Sequence, residues 1–115
     1  MDPKELTAML DKKITFTMNL RMIAKCNCVS LLSYELNKYA RDEVKVSLDG
    51  EVTVFTFTVR NRLVVSSVLN FLDSRLKEFN LSDIFIYVDA NVNSVVSPVV
   101  TLTLNKDGWS EVNCK

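Results

Sequence analysis

Ile14-Thr15-Phe16-Thr17-Met18-Asn19-Leu20 is the stretch on which the fold turns. Apolar residues occupy every second position, and threonine or asparagine fills the gaps. A repeat of two is the repeat of a β-strand, whose successive side chains point to opposite faces of a sheet. β-Branched and aromatic residues also fit a pleated surface better than a helix. If residues 6–41 formed one long helix instead, the element order would become α-β-β-α-β-β. The alternation places a strand at Lys13 to about Arg21.

The same pattern recurs at Val54-Phe55-Thr56-Phe57-Thr58-Val59 and at Val99-Val100-Thr101-Leu102-Thr103-Leu104. Each of the two glycines follows an aspartate, in Leu48-Asp49-Gly50-Glu51 and Lys106-Asp107-Gly108-Trp109. Asp-Gly between alternating runs signals a tight hairpin, for which a type I′ turn is expected. Strands are therefore expected at Val44 to Leu48, Val52 to Val59, Ile84 to Val88, Pro98 to Leu104 and Trp109 to Val112. Asn91 to Ser97 reads as a polar connection. Helical spacing of Val29, Leu32, Leu36, Tyr39 and Ala40 predicts a helix over Cys28 to Arg41. Val65, Val68, Leu69, Leu72, Leu76 and Phe79 predict a second one to about Asn80, with Asn61 as its N-cap. Asp2-Pro3-Lys4-Glu5 opens a short N-terminal helix with Leu6, Met9 and Leu10 as its apolar stripe.

The order is β-α-β-β-α-β in a single domain, residues 1–115. It predicts an α+β ferredoxin-like antiparallel sheet with two helices on one face, plus an N-terminal helix and a C-terminal hairpin. In such a sheet the first and third strands are central and the threonine face is open. The alternative order named above is similar to that of secretion chaperones.

Composition excludes several chemistries. Of 115 residues 48% are hydrophobic and 24% charged, which suits a folded globule. Lys plus Arg number 14, as do Asp plus Glu, so the charge excess of a generic polyanion binder is missing. Histidine is absent, which removes the commonest general base and metal ligand. Two isolated glycines cannot build a phosphate-cradling loop. No apolar leader or membrane-spanning run is visible, and the three cysteines read as reduced thiols, which together point to a cytoplasmic protein. No metal site or cofactor is expected, since Cys26, Cys28 and Cys114 lack partner ligands. Asp73, Glu78, Asp83 and Asp89 form no recognisable carboxylate pair, so no catalytic residue is assigned.

Two surfaces stand out. Thr15, Thr17, Asn19, Thr56, Thr58, Thr101 and Thr103 should share the open face, joined by Ser47, Phe85 and Tyr87. Solvated strand faces usually carry charge that opposes association. An uncharged, Thr-rich face with two rings suits burial against a second protein, although threonine is also an ordinary solvated strand residue. At one end of the sheet, Lys12, Lys13, Arg41, Lys45, Arg60 and Arg62 should cluster. Arg60 and Arg62 flank a helix N-terminus, which favours an anion or acidic partner; Asp42 and Glu43 nearby could neutralise the cluster.

Phe16-Thr17-Met18-Asn19-Leu20 resembles the shorter signature of the RNA-recognition-motif family, and the Phe55/Phe57 pair resembles the longer one. The resemblance implies bases stacked on those aromatics. The longer signature also carries Lys/Arg-Gly, where this chain reads Val52-Thr53-Val54, and aromatics that face the helices could not stack on bases. The reading that follows is a small non-catalytic protein-binding module: an adaptor, assembly factor or inhibitor of phage or mobile-element type. It would act through the threonine face or an edge strand, on another protein or on a second copy of itself, with no role for nucleic acid or membrane. RNA binding is the alternative.

Overall fold

In the first strand, burial alternates without interruption. Phe16, Met18, Leu20 and Met22 are buried, while Thr15, Thr17, Asn19 and Arg21 are half-exposed. This comes from a computed structural model that describes residues 3, 14–23, 28–79, 84–93, 95–105 and 107–112. The strand is β1, Thr15–Met22; it is followed by α1, Cys28–Leu36, then β2, Lys45–Asp49, and β3, Val52–Val59. Next come α2, Arg62–Phe79, β4, Ile84–Val92, β5, Val95–Asn105, and β6, Gly108–Glu111. The long-helix alternative over residues 6–41 is overturned by β1. Of the expected N-terminal helix only Pro3 is described, and it is helical; the remainder lies outside the described residues.

The expected ferredoxin-like sandwich is corrected. All six strands form one antiparallel sheet in the order β2-β3-β1-β4-β5-β6. The described protein is more strand than helix, with two helices on one side. The departure begins at Asn91–Ser97, read from sequence as a polar connection. There β4 continues to Val92 and β5 begins at Val95, turning at Asn93, whose φ is 50°. Asparagine tolerates the left-handed region, which a tight hairpin needs. The resulting β5 has 11 residues, the longest strand, and it pairs with both β4 and β6. The central pair is therefore β1 and β4, not β1 and β3.

The core lies between sheet and helices. Leu32 and Leu36 of α1 and Val68 and Leu72 of α2 pack with Met18, Leu20, Phe55, Val59, Ile84, Ile86 and Leu104. The helices are tied together by a bidentate ion pair. Arg75 donates from Nε and Nη2 to the two oxygens of Glu35, both at 2.9 Å. Arg75 also contacts Glu78 and lies 5.4 Å from the Phe71 ring centre. Its hydrogen bonds to the Glu35 and then the Glu78 carboxylate push the guanidinium still further up, so it stays charged at every accessible pH.

Boundaries shift for local reasons. α1 ends at Leu36 rather than Arg41, because Asn37 begins a turn and engages Val44 (N–H to Asn37 Oδ1, 2.9 Å). The β2–β3 loop is Gly50-Glu51, with positive φ at Gly50 only (63°). That is the type II′ pattern, not the expected type I′. Asn61 does cap α2: its Oδ1 accepts from Val64 N–H at 3.0 Å. Asn61→Ala is expected to cost about 1 kcal/mol, read as a lowered urea midpoint at unchanged slope. The reduced-thiol expectation is corrected at Cys28, which is disulfide-bonded. Cys26 and Cys114 lie outside the described residues, as do Asp83 and the side chains of Leu76 and Phe79. No helix among the described residues is long and apolar enough to cross a membrane.

Candidate functional site

Strand register builds the open face row by row. Cross-strand neighbours in an antiparallel sheet share a face. Lys45, Thr56, Asn19, Tyr87 and Thr101 are successive partners and make one row across five strands. A second row is Ser47, Val54, Arg21, Phe85, Thr103 and Ser110. Thr58, Thr17 and Asp89 form a third, ending at Pro98, and Thr15 opposes Asn91 in a fourth. All ten sequence-predicted face residues are therefore brought together, on the side opposite the helices.

The face is internally wired. Asn19 Nδ2 donates to Thr56 Oγ1 at 3.0 Å, and Arg21 Nε donates to Asn19 Oδ1 at 3.4 Å. Asn91 Nδ2 reaches Thr17 Oγ1 at 2.8 Å and Thr15 Oγ1 at 3.4 Å. Thr103 and Ser110 hydroxyls are 2.9 Å apart. These lateral bonds fix side-chain rotamers, so less conformational freedom is lost when a second surface covers them. Phe85 and Tyr87 remain 43% and 40% exposed between the threonine columns of β1 and β5. Rings with so much open area supply most of the apolar surface that an incoming partner can cover.

Among the face residues that escaped the sequence reading are Arg21, Asp89 and Asn91. A signal existed for each. Counting by twos from Thr15 reaches Arg21, and counting from Phe85 reaches Asp89 and Asn91 if the strand passes Val88. Arg21 and Asp89 line a shallow depression of about 480 Å³ with Asn19, Tyr87, Pro98, Val100 and Thr101. The face thus offers hydroxyls, amides and two rings, with Arg21 and Asp89 as charges of opposite sign near its middle and Lys45 and Asp49 at its β2 edge.

The basic cluster is only partly described. Lys12 and Lys13 lie outside the described residues. Arg41 sits against the end of β3, its backbone N–H donating to Thr58 O at 2.7 Å. Lys45 opposes Thr56, while Arg60 and Arg62 follow β3 directly into α2. All four are exposed, and Asp42 and Glu43 stand between Arg41 and Lys45 in the chain. The aromatics behind the RNA-recognition-motif resemblance point the other way: Phe16, Phe55 and Phe57 are buried among the helices. No group of three or more His, Cys, Asp or Glu side chains among the described residues could hold a metal ion. Comparison with family models, curated proteins and solved structures finds no match to this chain.

Proposed function

We propose that this protein is a protein-binding module of the adaptor, assembly-factor or inhibitor kind that docks a partner on its threonine face. The observation that supports the reading is the register. It lines up Thr17, Asn19, Thr56, Phe85, Tyr87, Thr101 and Thr103 on one helix-free face. Hydrogen-bonding hydroxyls around exposed rings are the makings of a wet but specific interface, in which aromatics carry affinity and polar groups fix register. Arg21 and Asp89 add one attractive site for each sign of charge on the partner, which orients the encounter more than it tightens it.

Thr17 and Thr56 are half-exposed and lie near the middle of the face. Thr17→Lys with Thr56→Lys should leave the fold intact, since each ammonium can extend into water. The test is affinity capture from host lysate after nuclease treatment, with wild type and double variant side by side. A stoichiometric protein is expected on the wild type and absent from the variant. Equal capture by both, with matching circular dichroism, would remove the face from the function.

A further inference from the structure

The two edges of the sheet are treated differently. Beyond the four residues of β6, the outer side of β5 from Val95 to Val100 has no neighbouring strand among the described residues. That edge carries two devices that prevent pairing: Pro98, which has no N–H, and a bulge at Val99 where Val88 opposes Val100 but Asp89 opposes Pro98. The opposite edge, β2, has neither. Its five residues, Lys45-Val46-Ser47-Leu48-Asp49, pair regularly with β3 and are all exposed. An unblunted edge is a template for another strand.

The side chains of β2 say which strand. Lys45, Ser47 and Asp49 lie on the threonine face, because they oppose Thr56, Val54 and Val52. Val46 and Leu48 lie on the helix face, opposite Phe55 and Thr53, yet they are 43% and 76% exposed while Phe55 is fully buried. The core layer therefore runs past the cover of the helices and ends in two uncovered aliphatic residues. The sequence of β2 is also complementary to its own reverse. Antiparallel pairing about Ser47 sets Lys45 of one copy against Asp49 of the other, twice by symmetry. It sets Val46 against Leu48, also twice, and Ser47 against itself. Faces match in this register, so threonine faces and helix layers continue across the junction. Sliding by two residues in one direction would oppose Glu43 to Asp49, a like-charge contact. Sliding the other way would draw turn residues Gly50 and Glu51 into the ladder.

We propose that β2 pairs with β2 of a second copy about a two-fold axis at Ser47, joining two sheets into one of twelve strands. The contact is isologous, as a two-fold interface requires. Main-chain hydrogen bonds hold it together, four aliphatic side chains lie on one side, and two Lys45–Asp49 pairs set the register. Asp49 also receives Arg21 Nη1 at 3.5 Å within its own chain, a long, exposed contact that leaves its other oxygen free for lysine.

Charge reversal tests this register. Lys45→Asp opposes Asp to Asp at both ends of the junction, and Asp49→Lys opposes Lys to Lys. Each single variant should raise the dimer dissociation constant at least roughly tenfold in sedimentation equilibrium, because two attractive pairs become two repulsive ones. An equimolar mixture of the two variants makes every pair complementary again and should restore a heterodimer near wild-type strength. Both positions are exposed, and recovery in the mixture shows that the single variants are folded. Independently, backbone amides of β2 in the wild type should gain hydrogen-exchange protection as concentration rises. A wild type that stays monomeric at the highest soluble concentration overturns the proposal. So do single variants that dimerise normally, or a mixture that fails to associate. None of these outcomes bears on the threonine face, whose test uses other residues.

Discussion

Phe55→Ala should destabilise the protein by about 3–5 kcal/mol. Phe55 is the largest of the fully buried side chains and sits in β3, opposite Leu20 on one side and Val46 on the other. Its ring lies in the core formed by α1, α2 and the sheet. Truncation removes apolar area from that core and leaves a void that β-sheet backbone cannot close, since both flanking strands hold their spacing through ladder hydrogen bonds. A domain of this size has a total stability of roughly 5–15 kcal/mol, so the loss is a large fraction of it. Urea unfolding followed by Trp109 fluorescence reads the change directly. Phe55→Leu keeps most of the volume and should cost less than half as much. If alanine and leucine behaved alike, Phe55 would not be filling the space that its burial implies.

Where periodicity was unbroken, sequence reasoning reached the right element. Thr15 to Met22 alternates throughout, and it is a strand although it lies between segments of helical composition. Asn61 announced α2 because a side-chain acceptor before an amphipathic run has a specific job, bonding a free backbone N–H. The misreading at Asn91–Ser97 has an equally definite source. Asn91, Asn93, Ser94 and Ser97 look like loop residues, yet Asn93 is in the turn and Asn91 and Ser97 stand in strands. Polar composition there is compatible with regular strand. Four extra paired positions there lengthen the β4–β5 ladder, and β5 with β6 added beyond β4 places the centre of the sheet at β1–β4 and removes the ferredoxin-like description.

The face itself was legible because period two, once anchored at Thr15 and Thr56, determines every later residue on the same side. Its charges were not. Arg21 falls at the end of the alternation and Asp89 just past Val88, where the sequence pattern ends β4. Pairing partners were beyond the reach of local pattern: nothing in the sequence says that Asn19 lies between Thr56 and Tyr87, contacts separated by 37 and 68 positions in the chain. The difference between the two sheet edges was hidden for the same reason. Pro98 and the bulge at Val99 are informative only once β5 is known to have no outer neighbour from Val95 to Val100 among the described residues.

Asn37→Ala should cost about 1–3 kcal/mol, the usual penalty for stranding a buried donor. Asn37 makes two bonds from one amide. Its Oδ1 accepts from Val44 N–H at 2.9 Å, and its Nδ2 donates to Ser33 O at 2.9 Å. One closes the last turn of α1, and the other fixes the residue that leads into β2. Val44 is buried, so water cannot readily replace the lost acceptor. Asn37→Asp separates the two bonds, since a carboxylate still accepts from Val44 but cannot donate to Ser33. The aspartate variant should therefore retain more stability than alanine and keep the Val44 amide slow to exchange, whereas in Asn37→Ala that amide should exchange markedly faster. Because Val44 directly precedes Lys45, the alanine variant should also loosen the start of β2 and weaken pairing between copies, although residue 37 lies outside the pairing strand. A variant that lost stability without faster Val44 exchange would place the cost at the helix end alone. It would detach the anchoring of β2 from α1.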